Sequence, residues 1–120
     1  MDAMDIYREI LKENIEYDCL CDDHRHSRDE IEEILELMLE TFCSTKKTIR
    51  IGGDDKPSEV VKSRMMKLDQ FHIEYVLDAL GKNTTEVRNI KNYLLTTLYN
   101  APGTIGNYYK QRVQHDMYGN

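Results

Sequence analysis

The sequence has no tryptophan, two phenylalanines, two prolines and three cysteines in 120 residues. An odd number of cysteines excludes a fold in which every cysteine is paired within the chain, so we interpret them as thiols in a reducing compartment. No apolar run approaches the roughly 20 residues that span a bilayer, so we expect no membrane partner. The first residues lack the basic and apolar regions of a signal peptide, which predicts a cytoplasmic protein.

The motifs of common enzymes are also missing. Gly52-Gly53 lacks the Lys and Ser/Thr of a phosphate-binding loop. The clearest metal-like cluster comprises Cys19, Cys21, His24 and His26. Its spacing differs from the ligand pairs of structural zinc sites, and we interpret it as incidental thiols and surface histidines. We therefore predict no enzymatic activity, no metal and no cofactor.

Charge is divided unevenly between the two parts of the chain. Residues 1–44 hold 14 acidic and 4 basic residues, and 4 − 14 = −10. Residues 45–120 hold 8 acidic and 12 basic residues, and 12 − 8 = +4, which gives the total of −6. Nucleic-acid binding follows local potential, so a basic C-terminal part leaves it open despite the acidic total. The alternative is that the acidic residues form only solvated helix faces.

The apolar spacing predicts a single all-α domain over residues 1–120, a compact bundle of five or six helices. The first helix is expected from Asp5 to Tyr17, with Ile6, Ile10, Leu11 and Ile15 on its apolar side. Asp18 to Ser27 is expected to be a loop with at most a helical turn. Ser27 or Asp29 then caps a second helix that ends near Thr41 or Cys43.

The middle of the chain holds the one β-like run, Thr48 to Ile51, followed by the turn residues Gly52 and Gly53. We predict a small β-hairpin near residues 48–57. Pro57 opens a third helix, whose exposed side is expected to carry Lys62, Arg64 and Lys67. Asp69 caps a fourth helix, and Gly81 is expected to end it.

The stretch from Asn83 to Ala101 gives the clearest helix signal. Its apolar stripe is formed by Val87, Ile90, Leu94 and Leu98. Asn83 and Glu86 have the spacing of a capping box. Pro102 is expected to stop this helix, and Thr104 to cap a sixth one from Ile105 to about Met117.

Aromatic and basic residues occur together on the last two predicted helices. Tyr93 and Tyr99 lie on one, and the run Tyr108-Tyr109-Lys110-x-Arg112 lies on the other. Tyrosines beside a cationic track suit single-stranded nucleic acid, whose bases stack on aromatic rings. Tyrosines at helix seams also pack with the hydroxyl at the rim, so packing or a protein interface remains open.

Several blocks of the sequence, in order, resemble one known family. They are Ile15–Asp18, Glu32–Thr41, Thr48–Gly53, Pro57–Lys67, His72–Val76, Asn89–Pro102 and His115–Tyr118. Together they resemble the C-terminal domain of unknown function in RepA-type replication initiators of Gram-positive plasmids and integrative conjugative elements. In those proteins the domain follows an N-terminal winged-helix domain, which we expect to carry the sequence-specific origin binding. The resemblance implies a role in replication of a mobile element.

A second, weaker resemblance concerns Tyr93-x-x-x-Thr97-x-x-Asn100, which is similar to a signature of DnaD-like primosomal domains. Those domains are helical and are implicated in single-stranded DNA binding and in contacts with helicase loaders. Thr97 stands in place of an aliphatic residue and Ala101 in place of a Trp, so only Tyr93 and Asn100 carry over.

These observations predict an accessory domain of a mobile-element replication initiator. It would contact single- or double-stranded DNA non-specifically, recruit a helicase or helicase loader, or do both. The alternative is a protein-interaction or homo-oligomerisation module without DNA binding. The predicted binding face comprises Arg88, Lys91, Tyr93, Asn100, Tyr108, Tyr109, Lys110 and Arg112. Lys46, Lys47 and Arg50 are expected to extend it.

Overall fold

The computed structural model describes residues 2–23, 25–82 and 89–118, with side chains described as far as Thr104. In chain order the elements are α1 (Ala3–Ile15), α2 (Tyr17–Asp22), α3 (Arg28–Phe42), β1 (Thr48–Ile51), β2 (Asp54–Pro57), α4 (Ser58–Met66), α5 (Gln70–Lys82) and α6 (Ile90–Tyr118). The described residues thus form a mostly helical bundle with one small antiparallel hairpin, which confirms the predicted fold class.

Helix α3 is central, and it packs against α1, α2, α4 and α6. Its predicted N-cap is confirmed, because Ser27 Oγ accepts a hydrogen bond from the Glu30 N–H at 3.1 Å. The buried residues of α3 are Ile31, Ile34, Leu35, Leu37, Met38, Leu39 and Thr41. The core continues through buried residues of the other helices, among them Leu11, Ile15, Val61, Met65, Ile73, Leu77, Leu94 and Leu98.

The N-terminal region differs from the prediction in three respects. Helix α1 ends at Ile15, because Glu16 takes a left-handed conformation with φ 53°. A short helix, α2, follows where mostly loop was expected, and it is anchored by the buried Tyr17 and Leu20. Ile6 was placed on the inner stripe, but its side chain is 48% exposed.

The hairpin forms as predicted, with Thr48 opposite Pro57 and Ile51 opposite Asp54. Gly52 and Gly53 make the turn with backbone φ angles of 57° and 93°, which residues other than glycine rarely adopt. Pro57 is the N-cap of α4. Strand β1 is therefore held beside α4 and α6, which its residues contact.

The capping prediction for α5 is confirmed at its start and wrong at its end. Asp69 Oδ1 accepts from the His72 N–H at 3.1 Å, and His72 Nδ1 accepts from the Asp69 N–H at 3.0 Å. The helix runs through Gly81 to Lys82, and Gly81 does not have the positive φ of a C-cap glycine. Nothing in the backbone there requires glycine, so its presence alone was a misleading stop signal.

Helix α6 is one element where the sequence predicted two. It begins at Ile90, and Asn89 Oδ1 caps it by accepting from the Asn92 N–H at 3.0 Å. Leu94 and Leu98 are buried as predicted, whereas Ile90 is 43% exposed. Pro102 lies inside the helix, so the predicted break at Pro102 and the predicted cap at Thr104 are wrong. Asn83, Glu86 and Val87 lie outside the described residues.

We attribute the continuity of α6 to packing. A proline removes one helical hydrogen bond, here the bond to the Leu98 carbonyl, without forbidding helical backbone on both sides. Leu98 and Ala101 are both fully buried. Their burial on the turn before Pro102 favours helix where the local preference does not.

Candidate functional site

A groove of about 640 Å³ opens between the end of α3, strand β1 and the first turns of α6. Three cationic side chains from separate parts of the chain line it: Lys46 from the loop after α3, Arg50 from β1 and Lys91 from α6. We call this surface the basic groove. Its lining also includes the carboxylates of Glu40 and Asp55. The fold thus places Lys91 beside Lys46 and Arg50, two residues that were predicted only to extend the binding face.

The loop that carries Lys46 is held by the start of α4. Lys62 Nζ donates to the Ser44 carbonyl at 2.6 Å. The Ser58 N–H donates to the Lys47 carbonyl at 3.0 Å, and Ser58 Oγ donates to the Lys46 carbonyl. These bonds use backbone oxygens of the loop and leave the side chains of Lys46 and Lys47 exposed. The two ammonium groups are therefore offered to solvent from an anchored backbone.

The hairpin that carries Arg50 is fastened to α6. The Gly52 N–H donates to Thr96 Oγ1 at 3.1 Å, which joins the hairpin turn to the second turn of α6. The side chain of Ile51 is buried in the core next to this contact. Two anchors thus fix the position of Arg50 relative to Lys91.

Two of the three cations in the basic groove already contact carboxylates. Lys91 Nζ lies 2.7 Å from Glu40 Oε1, and Arg50 Nη1 lies 3.4 Å from Asp55 Oδ1. All four side chains are more than half exposed, and exposed pairs of this kind contribute at most about 1 kcal/mol. Among the described residues Lys46 has no ion-pair partner. An anionic ligand can therefore compete for these cations at low cost.

The face predicted from the sequence is divided by the structure. Lys91 lies in the basic groove, whereas Tyr93 is half-buried against the core. Asn100 is exposed. It comes nine residues after Lys91, which places it on roughly the opposite side of the helix at 100° per residue. Lys91 and Asn100 therefore cannot contact one small ligand together.

Other predicted residues lie where their side chains are not described. Arg88 lies outside the described residues. The backbone of Tyr108, Tyr109, Lys110 and Arg112 belongs to α6, and their side chains lie beyond the described part. These five stay predictions.

Tyr99 packs in the core, which confirms the packing alternative for this tyrosine. It is 8% exposed, and the guanidinium carbon of Arg64 lies 4.0 Å from the centre of its ring. Arg64 Nη1 also donates to the Tyr99 carbonyl at 2.9 Å. The prediction of Arg64 on an exposed basic side is wrong, because its side chain covers Tyr99 and ties α4 to α6.

Of the cysteine and histidine cluster, Cys19 and Cys21 lie on α2, and His26 lies in the loop before α3. Cys19 is exposed and Cys21 is half-buried. His26 Nε2 lies 3.4 Å from Asp78 Oδ1 of α5, and His24 lies outside the described residues. Among the residues that are described, no three His, Cys, Asp or Glu side chains are grouped to hold a metal ion.

A buried tyrosine joins α2 to α3. Tyr17 Oη donates to Glu32 Oε1 at 2.6 Å. This hydrogen bond, followed by burial and the nearby Cys21 thiol, raises the pKa of Tyr17 to about 12. A phenol with such a pKa stays neutral at ordinary pH, and its hydrogen bond to Glu32 ties α2 to α3.

Three residues that shape the basic groove were not singled out from the sequence for that role. Glu40 lies near the end of α3 and forms an ion pair with Lys91. Thr96 and Lys62 fasten the hairpin and the loop. The one local signal for the contact with the hairpin was Thr96, which lies between the buried Leu94 and Leu98, because a hydroxyl in such a place needs a hydrogen-bond partner.

No helix in the described ranges has the length and apolar character needed to cross a membrane. Over residues 1–120 the sequence matches a family described as a family of unknown function (DUF6017), and the chain belongs to that family. No curated protein and no solved structure matches the chain. The family description assigns no activity, so function has to be inferred from the residues.

Proposed function

We propose that this member of the DUF6017 family is an accessory domain of a mobile-element replication initiator, and that its basic groove contacts DNA phosphates without reading base sequence. The observation that carries the proposal is the meeting of Lys46, Arg50 and Lys91 in one groove. The resemblance to the C-terminal domains of RepA-type initiators supplies the replication context. The proposal includes no catalytic step.

The groove has the chemistry for backbone contact. Arg50 presents a planar guanidinium that matches two phosphate oxygens, and Lys46 and Lys91 supply ammonium groups that act as point charges. Phosphate oxygens can replace the carboxylates of Glu40 and Asp55, because the exposed ion pairs are weak. Lys47 does not line the groove, but it is exposed next to Lys46 in the same loop and adds a fourth cation nearby. Phosphate contacts position a protein on DNA but carry no sequence information directly.

The number of cations limits the strength of binding. Each neutralised phosphate contributes about −0.9 to the slope of log affinity against log salt. Four contacts predict a roughly 50-fold loss of affinity for about a threefold rise in salt. We therefore expect weak, salt-sensitive binding, in which the domain adds to sequence-specific contacts made elsewhere in an initiator.

Fluorescence anisotropy of labelled single- and double-stranded oligonucleotides tests this function. The combined change Lys46→Glu and Arg50→Glu should lower DNA affinity at least tenfold at low salt. The matched control is Lys67→Glu with Lys82→Glu, which alters net charge equally at exposed positions outside the groove. Equal losses of DNA affinity in both variants would show that DNA is attracted by the overall charge of the protein and not by the basic groove. Absence of binding even at low salt would refute the DNA proposal.

The second candidate is a protein-interaction or oligomerisation module without DNA binding. It is favoured by the exposed apolar side chains of Met4, Ile6 and Tyr7 at the start of α1. Candidate partners are a helicase, a helicase loader or a second copy of the chain. Binding through an apolar interface would persist at high salt, and sedimentation velocity would detect self-association directly.

A further inference from the structure

A second groove, of about 730 Å³, runs along α1 to the start of α2. Ile6 and Ile10 line it as an apolar pair one helical turn apart, and Tyr17 lines it at the junction of the two helices. We call it the α1–α2 groove. It shares no lining residue with the basic groove.

The carboxylates of the α1–α2 groove lack partners among the described residues. Glu9, Glu13, Glu16 and Asp18 line it, and within the described part of the chain none of them forms an ion pair or a side-chain hydrogen bond. Lys12 is the one cation among the lining residues, and its Nζ lies 4.8 Å above the centre of the Tyr17 ring. The lining therefore has four negative charges against one positive charge.

Helix α3 provides a contrast within the same acidic region. Its residues Glu32, Glu36 and Glu40 follow one another at four-residue spacing, and each has a partner. Glu32 accepts from Tyr17, Glu36 pairs with Arg8 and Glu40 pairs with Lys91. The acidic residues on this side of α3 thus have partners inside the fold, whereas those of the α1–α2 groove have none in the part of the chain that the structure describes.

Apolar exposure coincides with this unpaired charge. Ile6 is 48% exposed although it is a large aliphatic residue, and Ile10 beside it is half-buried. Glu9 and Glu13 are spaced i, i+4 on α1, so their like charges repel each other. A ligand that carries cations next to apolar groups would relieve this repulsion and at the same time cover Ile6. DNA would meet the same carboxylates with its phosphates and is disfavoured.

We propose that the α1–α2 groove docks a Lys/Arg-rich amphipathic helical segment of a protein partner. The apolar side of that segment lies on Ile6 and Ile10, and its cations face Glu9, Glu13 and Glu16. Charge complementarity defines the occupant, since helix-in-groove recognition combines apolar anchors with flanking charges. This proposal concerns a different surface from the basic groove and does not depend on DNA binding.

The test uses the intact chain and a labelled synthetic peptide in which Leu repeats at helical spacing and the other positions are Lys. A peptide of the same composition with Leu scattered around the helix controls for charge alone. Glu9→Gln with Glu13→Gln should weaken binding of the amphipathic peptide at least tenfold, and Ile6→Ser at least fivefold. Glu30→Gln with Glu33→Gln removes two exposed α3 carboxylates outside the groove and should change affinity less than twofold.

Three results of the peptide experiment would overturn the proposal. They are no binding by the unaltered chain, equal losses in the groove and control variants, and equal affinity for the scattered peptide. A homodimer that dissociates on Glu9→Gln with Glu13→Gln would make a second copy the occupant and would overturn the assignment to a partner. Circular dichroism and thermal unfolding show whether each variant is folded. Because Lys46→Glu with Arg50→Glu should leave peptide binding unchanged, failures of the two proposals are distinguishable.

Discussion

Lys91 and Glu40 lie 51 residues apart in the chain, yet Lys91 Nζ and Glu40 Oε1 are 2.7 Å apart. The pair joins the first turn of α6 to the last turns of α3 on the wall of the basic groove. In the free protein the Glu40 carboxylate therefore pairs with the Lys91 ammonium, which a bound phosphate would contact. Because both side chains are mostly exposed, this ion pair contributes little to the stability of the fold. Its main effect is that Glu40 competes with the proposed phosphate ligand for Lys91.

Glu40→Gln should raise DNA affinity about two- to fivefold at low salt, since Lys91 then keeps its charge without a paired carboxylate. The free energy of unfolding should fall by no more than about 0.5 kcal/mol. Anisotropy titration and urea unfolding measure the two quantities. Glu33→Gln is the control, because it removes an exposed charge from the same helix without releasing a lysine. An equal gain in both variants would assign the effect to net charge.

Arg64→Ala should lower the free energy of unfolding by about 2 kcal/mol, because Arg64 both covers the Tyr99 ring and donates to the Tyr99 carbonyl. Arg64→Lys should recover only part of this loss, because an ammonium cannot reproduce the planar stacking. Urea denaturation of both variants beside Lys67→Ala, an exposed neighbour, measures the difference. A loss below that of Lys67→Ala would mean that the contact contributes nothing.

Thr96→Val should loosen the hairpin, because it removes the oxygen that accepts from the Gly52 N–H at 3.1 Å. We expect a loss of about 1 kcal/mol and faster hydrogen exchange at the Gly52 amide. Thr97→Val is the matched control, since the Thr97 hydroxyl bonds only the Tyr93 carbonyl of its own helix among the described contacts. Similar exchange at Gly52 in both variants would contradict a clasp between the hairpin and α6.

The raised pKa of Tyr17 predicts a loss of stability in alkali. In the unfolded chain the phenol ionises near its ordinary pKa of 10, whereas in the folded chain its pKa is about 12. The stabilisation is present in full below pH 10 and declines as pH rises from 10 to 12, because the unfolded state loses its proton first. Thermal unfolding across this range, compared with Tyr17→Phe, measures the decline. The curve of Tyr17→Phe should be flatter, and parallel curves would exclude Tyr17 as the cause.

Local signals were sufficient for the elements whose stabilisation is local. Ser27 predicted the start of α3 because a hydroxyl at the N-cap satisfies a nearby N–H. Gly52 and Gly53 predicted the hairpin turn because it requires positive φ at both. These preferences act over three or four residues, so they can be read directly from the sequence.

The wrong predictions concern positions where distant packing decides. Pro102 is a stop signal by local preference, but the burial of Leu98 and Ala101 continues the helix through it. Helix α2 has two buried side chains in six residues, which is too short for a periodic pattern. The basic groove depends on contacts such as Lys91 with Glu40, and no spacing within either helix indicates that the two helices meet.

Helix α3 contributes to the surroundings of both grooves. Glu40 lines the basic groove, and eight residues earlier Glu32 holds Tyr17, which lines the α1–α2 groove. The two positions are about 12 Å apart along one helix axis. With no lining residue in common, both grooves can be occupied at once. The domain would then act as a rigid bridge that holds a basic protein segment close to nucleic acid and raises its effective concentration there.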